Sequence, residues 1–249
     1  MTTIASNLQG VRERIAQACA SARRPVEDVT LLAVSKTFGP QAVREAVAAG
    51  QRRFGENYLQ EAVDKISAIR AWEAEGLRQA HAAPTEWHCI GPIQSNKTRL
   101  VAEYFDWAHT VDRLKIAQRL SEQRPPGLAP LQVCLQVNVD GGANKSGVPP
   151  DEALALACAV AVLPRLTLRG LMTIPEPAPD GAAQRAVHAR TRALFEAMAA
   201  QLPAGAVWDT LSMGMSADLE VAIDAGSTLV RVGTAIFGGR ARPPSPSVG

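Results

Sequence analysis

The chain is poor in the residues that most often announce chemistry. Its 249 residues include four cysteines, four histidines and only 4% aromatics. Cys19, Cys89, Cys134 and Cys158 form no C-x-x-C pair, and each lies in an apolar setting, as reduced thiols used as small core residues do. Neither a disulfide nor a zinc site is expected. His81, His88, His109 and His188 show no H-E-x-x-H spacing, so a metal centre has nothing to build on. Charge of one sign is also lacking: the net charge is +2, and no Lys/Arg cluster is interleaved with aromatics, so no nucleic-acid partner is expected. Residues 1–10 hold no basic region followed by an apolar one, and no apolar run approaches the length of a membrane span. Secretion and insertion lack a signal, and a cytoplasmic protein is the expectation.

What is present is an ordinary soluble composition, 47% hydrophobic and 20% charged, in a length typical of one α/β barrel. The informative stretch is Leu31-Leu32-Ala33-Val34-Ser35-Lys36, an unbroken apolar run that ends in an amine. A strand apolar on both faces belongs in a parallel sheet covered by helices, and such sheets carry their chemistry at the carboxyl ends of the strands. Seen alone, Lys36 reads first as the solvated residue that follows a strand.

Leu8, Val11, Ile15 and Cys19 recur at helical spacing and predict an amphipathic helix before this strand. Strand and helix then alternate. Strands are expected at 53–57, 87–90, 107–111, 131–139, 166–173, 207–211 and 228–232. The intervening helices carry Val43 and Val47; Leu59, Val63 and Ile66; Leu114, Ala117 and Leu120; Leu154, Leu156 and Val160; and Val187, Thr191, Leu194 and Met198. Residues 71–85 read as a polar excursion, Ser95 as the cap of a helix over 96–103, Asp112 as the start of the next helix, and 216–225 as the last helix. Eight strands, each followed by a helix or by the chain's end, fit a single (β/α)8 barrel over residues 1–240 with one added N-terminal helix and a flexible tail at 241–249. A doubly wound sheet is the competitor, but its Gly-rich dinucleotide turn is missing: the first strand runs into Lys36-Thr37-Phe38-Gly39-Pro40.

In a barrel the strand ends converge on one mouth, which here collects Lys36, Asn57, His88, His109, Asn138, Thr173, Ser212 and Arg231. That set is polar and nearly free of carboxylates, so glycoside hydrolysis and a hard metal ion are set aside. Two stretches offer an anion site where barrels commonly hold phosphate: the turn from Leu211 to Asp218, with Ser216, and Arg231-Val232-Gly233-Thr234. Ser216 alone reads as an ordinary helix cap, and Gly233 and Thr234 as turn residues. A strand-end lysine facing a phosphate site suggests an amine that condenses with the carbonyl of a phosphorylated compound, made nucleophilic by desolvation and by a cationic neighbour such as Arg231. These residues leave open whether that carbonyl belongs to a sugar phosphate or to pyridoxal phosphate.

A series of motifs narrows the choice. A-V-S-K-T at 33–37, F-G-E-N-Y at 54–58, W-H-C-I-G-P-I-Q-S-N-K at 87–97, N-K-S-G at 144–147, R-G-L-M-T-I-P at 169–175, L-S-M-G-M-S-A-D at 211–218 and R-V-G-T-A-I-F-G at 231–238 run in order through nearly the whole chain. With them the chain closely resembles the pyridoxal phosphate homeostasis protein family, small single-domain relatives of the N-terminal barrel of alanine racemase. The resemblance implies that Lys36 carries pyridoxal phosphate as an internal aldimine, that Ser216, Gly233 and Thr234 hold the phosphate, that Arg231 faces the pyridine nitrogen and that Asn57 lies beside the ring. It implies a cofactor binder in vitamin B6 homeostasis, expected as a monomer with apo-enzymes as candidate recipients, rather than an enzyme with an established reaction. One departure stands out: where many relatives carry a second lysine two positions after the first, this chain has Phe38, although Lys145 of N-K-S-G is kept.

The alternative is a pyridoxal phosphate-dependent amino-acid racemase. Against it stand the expected end of the chain after the eighth strand, without the second domain that completes the racemase site, and the positions of Tyr58 and Tyr104, both expected in helical stretches. A module that binds only proteins fits poorly with a polar mouth ending in two anion-binding turns.

Overall fold

The computed structural model describes residues 3–76, 83–142, 146–177, 180–203 and 205–239. Lys145 and the tail expected at 241–249 therefore lie outside the described residues. The chain opens with α1 (Ile4–Ser21), started by the Thr3 hydroxyl, which accepts from the Ser6 amide. Alternation follows: β1 (Thr30–Val34), α2 (Pro40–Ala48), β2 (Arg53–Glu56), α3 (Leu59–Ala74), β3 (Glu86–Cys89), α4 (Thr98–Tyr104), β4 (Trp107–Val111), α5 (Leu114–Gln123), β5 (Leu131–Gln136), α6 (Ala153–Ala161), β6 (Leu166–Met172), α7 (Gly181–Ala199), β7 (Thr210–Met215), α8 (Leu219–Asp224), β8 (Leu229–Val232) and α9 (Thr234–Phe237). Each strand pairs in parallel with the next, and β8 pairs with β1 from Thr30↔Leu229 to Ala33↔Val232, closing the barrel. The (β/α)8 barrel with its N-terminal helix is the fold of this protein.

The period of two along each strand sorts the core. Ala33, Trp87, Cys89, Ala108, Val133, Leu135, Leu211, Met213, Val230 and Val232 belong to the large cluster shared with the helices. The alternate residues turn inward, where two small apolar groups, Leu32/Val34/Ile90/Leu229 and Trp107/Cys134/Met172, flank polar side chains. α1 buries Leu8, Val11, Ile15, Ala18 and Cys19 and lies against α2, α8 and α9, so it covers the seam where the first and last strands meet. Among the described residues no helix is long and apolar enough to cross a membrane.

Several expected boundaries move, each for a local reason. β7 begins at Thr210, not Val207, because its ladder to β6 starts at Gly170↔Thr210; Val207 is 44% exposed. Ser212 is thereby mid-strand. β5 stops at Gln136, since Val137 pairs only through an isolated bridge to Val148. α3 runs on to Ala74, into the stretch read as a polar excursion. Ser95 caps nothing: it opens a 3-10 turn, Ser95–Lys97, and its carbonyl accepts from the Thr98 hydroxyl as α4 begins. Asp112 likewise does not cap α5, which starts after Arg113 with Leu114 at the surface. α8 starts at Leu219 rather than Ser216, because the Asp218 carboxylate takes the Met215 amide at 2.6 Å and bends residues 215–218 into a turn. Tyr58 stands just before α3, not within a helix.

The mouth expected from strand ends is also redistributed. His88, His109 and Ser212 are fully buried inside the barrel, and His88 reaches the opposite mouth. Alternation puts them there, since residues one step along a strand face opposite ways.

Candidate functional site

At the carboxyl ends of the strands lies a cavity of about 330 Å³, and its wall includes Lys36, Asn57, Ser216, Arg231, Gly233 and Thr234. The six residues singled out from sequence thus share one wall. Lys36 stands two residues beyond β1 and is half-buried. The backbone on both sides of it is tied down. The Ser35 carbonyl accepts from Lys65 Nζ at 2.8 Å, the Ser35 hydroxyl donates to Glu56 Oε1 at 2.6 Å, and the Thr37 amide donates to Glu61 Oε1 at 2.8 Å. Lys65 also donates to Glu56 and Glu61, at 2.7 and 3.0 Å. Thr37 has φ +68°, a left-handed conformation costly for a β-branched residue, which these bonds hold in place.

Lys65 and Glu56 are almost wholly buried. Burial pushes the Glu56 carboxyl up, against the attraction of Lys65 and the hydrogen bonds from Lys65 and Ser35. The sequence reading missed this cluster. Glu61 and Lys65 could have been noticed as an i,i+4 pair, but Glu56 joins them only through the packing of α3 on β2.

Arg231 is buried and fully bonded on one side: Nη1 donates to the carbonyl and hydroxyl of Ser212 and Nη2 to the Thr173 carbonyl, each at 2.8 Å. Desolvation lowers its pKa to about 10 while Asp218 pulls the other way, so it remains a cation at neutral pH. Ser216 and Thr234 bring their hydroxyls within 3.4 Å of each other from the ends of β7 and β8. Two glycines make that approach feasible. Gly214 takes φ +91°, and a Cβ there would lie 2.5 Å from the Ala222 methyl; a Cβ on Gly233 would lie 3.2 Å from the Val34 carbonyl oxygen. On the same wall, the Asn57 Oδ1 is buried without a hydrogen-bond partner. Phe38, in the place of the second lysine, stacks on Phe237 at 5.2 Å and lines the same cavity, so this corner is apolar where an amine was in question.

A barrel closed by β8 on β1, with α1 packed outside that seam and an amine, a buried guanidinium and paired hydroxyls at its carboxyl mouth, places the chain in a defined class of protein. A profile described as the N-terminal domain of alanine racemase matches residues 6–241. The chain is 58% identical over 242 residues to the pyridoxal phosphate homeostasis protein of Pseudomonas aeruginosa, covering 96% of this chain and 97% of that one. It is 52% identical over 240 residues to the protein of the same name from Escherichia coli K12, covering 96% and 98%. Among solved structures, PipY of Synechococcus elongatus with PLP bound superposes with a TM-score of 0.74 at 36% identity, over 90% of this chain and all of that one. The chain belongs to the pyridoxal phosphate homeostasis protein family.

Proposed function

We propose that this protein binds pyridoxal phosphate in the cavity beside Lys36 and serves vitamin B6 homeostasis by holding the cofactor and handing it to apo-enzymes. The observation that carries the reading is the cavity wall itself: one primary amine, one buried arginine and the hydroxyls of Thr37, Ser216 and Thr234, with no carboxylate among its described residues. When bound, pyridoxal phosphate supplies an aldehyde that takes up a primary amine. Lys36 is that amine, aimed by the bonded residues on either side of it. The Ser216 and Thr234 hydroxyls and the backbone at Gly233 hold the phosphate, Arg231 faces the pyridine nitrogen, and Asn57 lies beside the ring. The residues fit the group: the unpartnered Asn57 Oδ1 marks a buried acceptor on that wall that the protein's own donors leave unsatisfied. The four free cysteines accord with a cytoplasmic location, and the reading needs only a monomer.

Purified protein mixed with pyridoxal phosphate and then freed of unbound cofactor should keep an absorption band in the near ultraviolet to visible. Borohydride should then fix the label on Lys36, and Lys36→Ala should lose it. A label found mainly on another lysine would sink the assignment.

Racemisation is the second reading, and the wall speaks against it. A racemase removes an α-proton from one face and returns one to the other, which calls for two positioned bases. Lys36 can serve one face. No tyrosine, histidine or carboxylate lines the described wall; Tyr58 is half exposed outside it. An arginine at the ring nitrogen weakens the ring's pull on electrons, which disfavours demanding carbanion chemistry, although alanine racemase shares that arginine. The loaded protein should therefore reactivate an apo-enzyme while racemising alanine negligibly. Robust turnover of a free amino acid, lost in Lys36→Ala, would restore the enzyme reading.

A further inference from the structure

A chain of hydrogen bonds runs through the barrel interior from Arg231 to the mouth opposite Lys36. Arg231 Nη1 lies 2.8 Å from Ser212 Oγ, Ser212 Oγ 3.0 Å from His109 Nδ1, His109 Nε2 2.8 Å from His88 Nδ1, and His88 Nε2 2.9 Å from Glu86 Oε1. Ser212, His109 and His88 are fully buried. Glu86 is about a third exposed and also accepts from Arg53 Nε. With His88 it lines a second cavity, of about 290 Å³, among the first residues of the strands: Thr30, Arg53, Trp107, Thr210 and Leu229.

The hydrogens can be placed in one consistent way. Arginine only donates, so Ser212 Oγ accepts from Arg231 and has its own hydrogen for His109 Nδ1. Burial holds both imidazoles below their usual range, His109 further so beside the Arg231 guanidinium, and both are neutral. A neutral imidazole that accepts at Nδ1 donates from Nε2. His109 therefore donates to His88, and His88 to Glu86. Burial opposes ionisation of Glu86, but the hydrogen bond from His88 and the Arg53 guanidinium outweigh it, so the chain ends on a carboxylate. Every bond points the same way, from a cation at one mouth to an anion at the other. Asp218 also acts on Arg231, from the β7–α8 turn, but its oxygens are bonded to His188 and the Met215 amide.

We propose that Glu86 is a positioning residue for the site at the other end of the barrel: acting through His88, His109 and Ser212, it sets the direction of the chain and so the hold on Arg231. The proposal rests on the reading that Arg231 faces the pyridine nitrogen. Linkage makes the effect reciprocal, so loading the cavity should be felt at His88.

Nitrogen-15 NMR of the histidine rings in the intact protein tests it. Both His88 and His109 should be the Nε2–H tautomer, and His88 should shift when pyridoxal phosphate is added. Glu86→Gln keeps an acceptor for His88 but can also donate, so the chain is free to reverse. An Nδ1–H form of His109 should appear, the absorption maximum of the bound cofactor should move, and its Kd should change on the order of fivefold. Asp209→Asn, which breaks the Arg169–Asp209 pair at the same mouth outside the chain, should leave the spectrum unmoved. The chain has no such role if either wild-type ring carries Nδ1–H, if His88 is silent on loading, or if a folded Glu86→Gln protein keeps its spectrum and Kd. Should that variant not fold, the wild-type tautomers and the His88 response decide. A wild type that takes up no pyridoxal phosphate would sink the cofactor reading and this proposal with it, whereas a loaded wild type with a silent His88 would sink this proposal alone.

Discussion

Ser216 follows β7 and Thr234 opens α9 just after β8, and each places a hydroxyl at the same corner of the cavity. A hydrogen bond to a charged group contributes about 1.5–3 kcal/mol, so losing two of them is felt in retention rather than in folding. Ser216→Ala combined with Thr234→Val should weaken pyridoxal phosphate binding by about tenfold or more, read by spectroscopic titration at matched thermal stability. Unchanged affinity would place the phosphate elsewhere. Phe38 works at the same scale: stacked on Phe237, it closes the corner with an aromatic face, so any onward transfer of cofactor proceeds here without an amine at that position.

At the scale of elements, the turn after β1 is held by α3 and β2. Lys65 comes from α3 and Glu56 ends β2; they bond the Ser35 carbonyl and hydroxyl before Lys36, while Glu61 of α3 takes the Thr37 amide after it. Removing one partner of a buried ion pair leaves the other uncompensated and costs about 3–5 kcal/mol. Lys65→Met should therefore lower stability by about that amount in urea unfolding and slow the reaction of Lys36 with the cofactor, while Lys65→Arg should recover part of both. A loss under about 1 kcal/mol would mean that the cluster is incidental to the turn.

The whole molecule should lose stability in acid, through carboxyls whose native partners favour the charged form. Burial works against ionisation of Asp218, but the His188 hydrogen bond and the Met215 amide outweigh it and hold the carboxyl below its usual range; Glu86, Asp209 and Glu220 are held down similarly. A carboxyl depressed by folding stabilises the native state fully above its unfolded pKa, about 4, and that contribution fades as pH falls through the lower folded value. Glu56 and Asp106, raised by burial, work in the opposite direction. Asp218→Asn should be less stable than wild type at pH 7, with the two curves converging below about pH 4 as the wild-type carboxyl protonates. A gap that stays constant with pH would show that the Asp218 charge contributes nothing.

The amino-acid sequence alone determined the alternation of eight strands with helices, because strand-like and helical patterns of apolar residues follow one another along it and many of the breaks hold a glycine or proline. β4 was readable to the residue; strand ends and two anion-binding turns brought Lys36, Asn57, Ser216, Arg231, Gly233 and Thr234 forward among other residues, and the family resemblance singled them out as a set. Tertiary structure decided what depends on phase and partner. Residues 207–211 are apolar enough for a strand, yet the ladder to Gly170 starts at Thr210. His88, His109 and Ser212 stand near strand ends in the sequence, but alternation turns them into the barrel, and only closure of β8 on β1 places their atoms in reach of one another. Lys65 looks like a surface helix lysine until Glu56, Glu61 and the Ser35 carbonyl surround it. A buried charge is tolerable only where separate segments supply its partners at once, and that meeting exists in the folded chain alone.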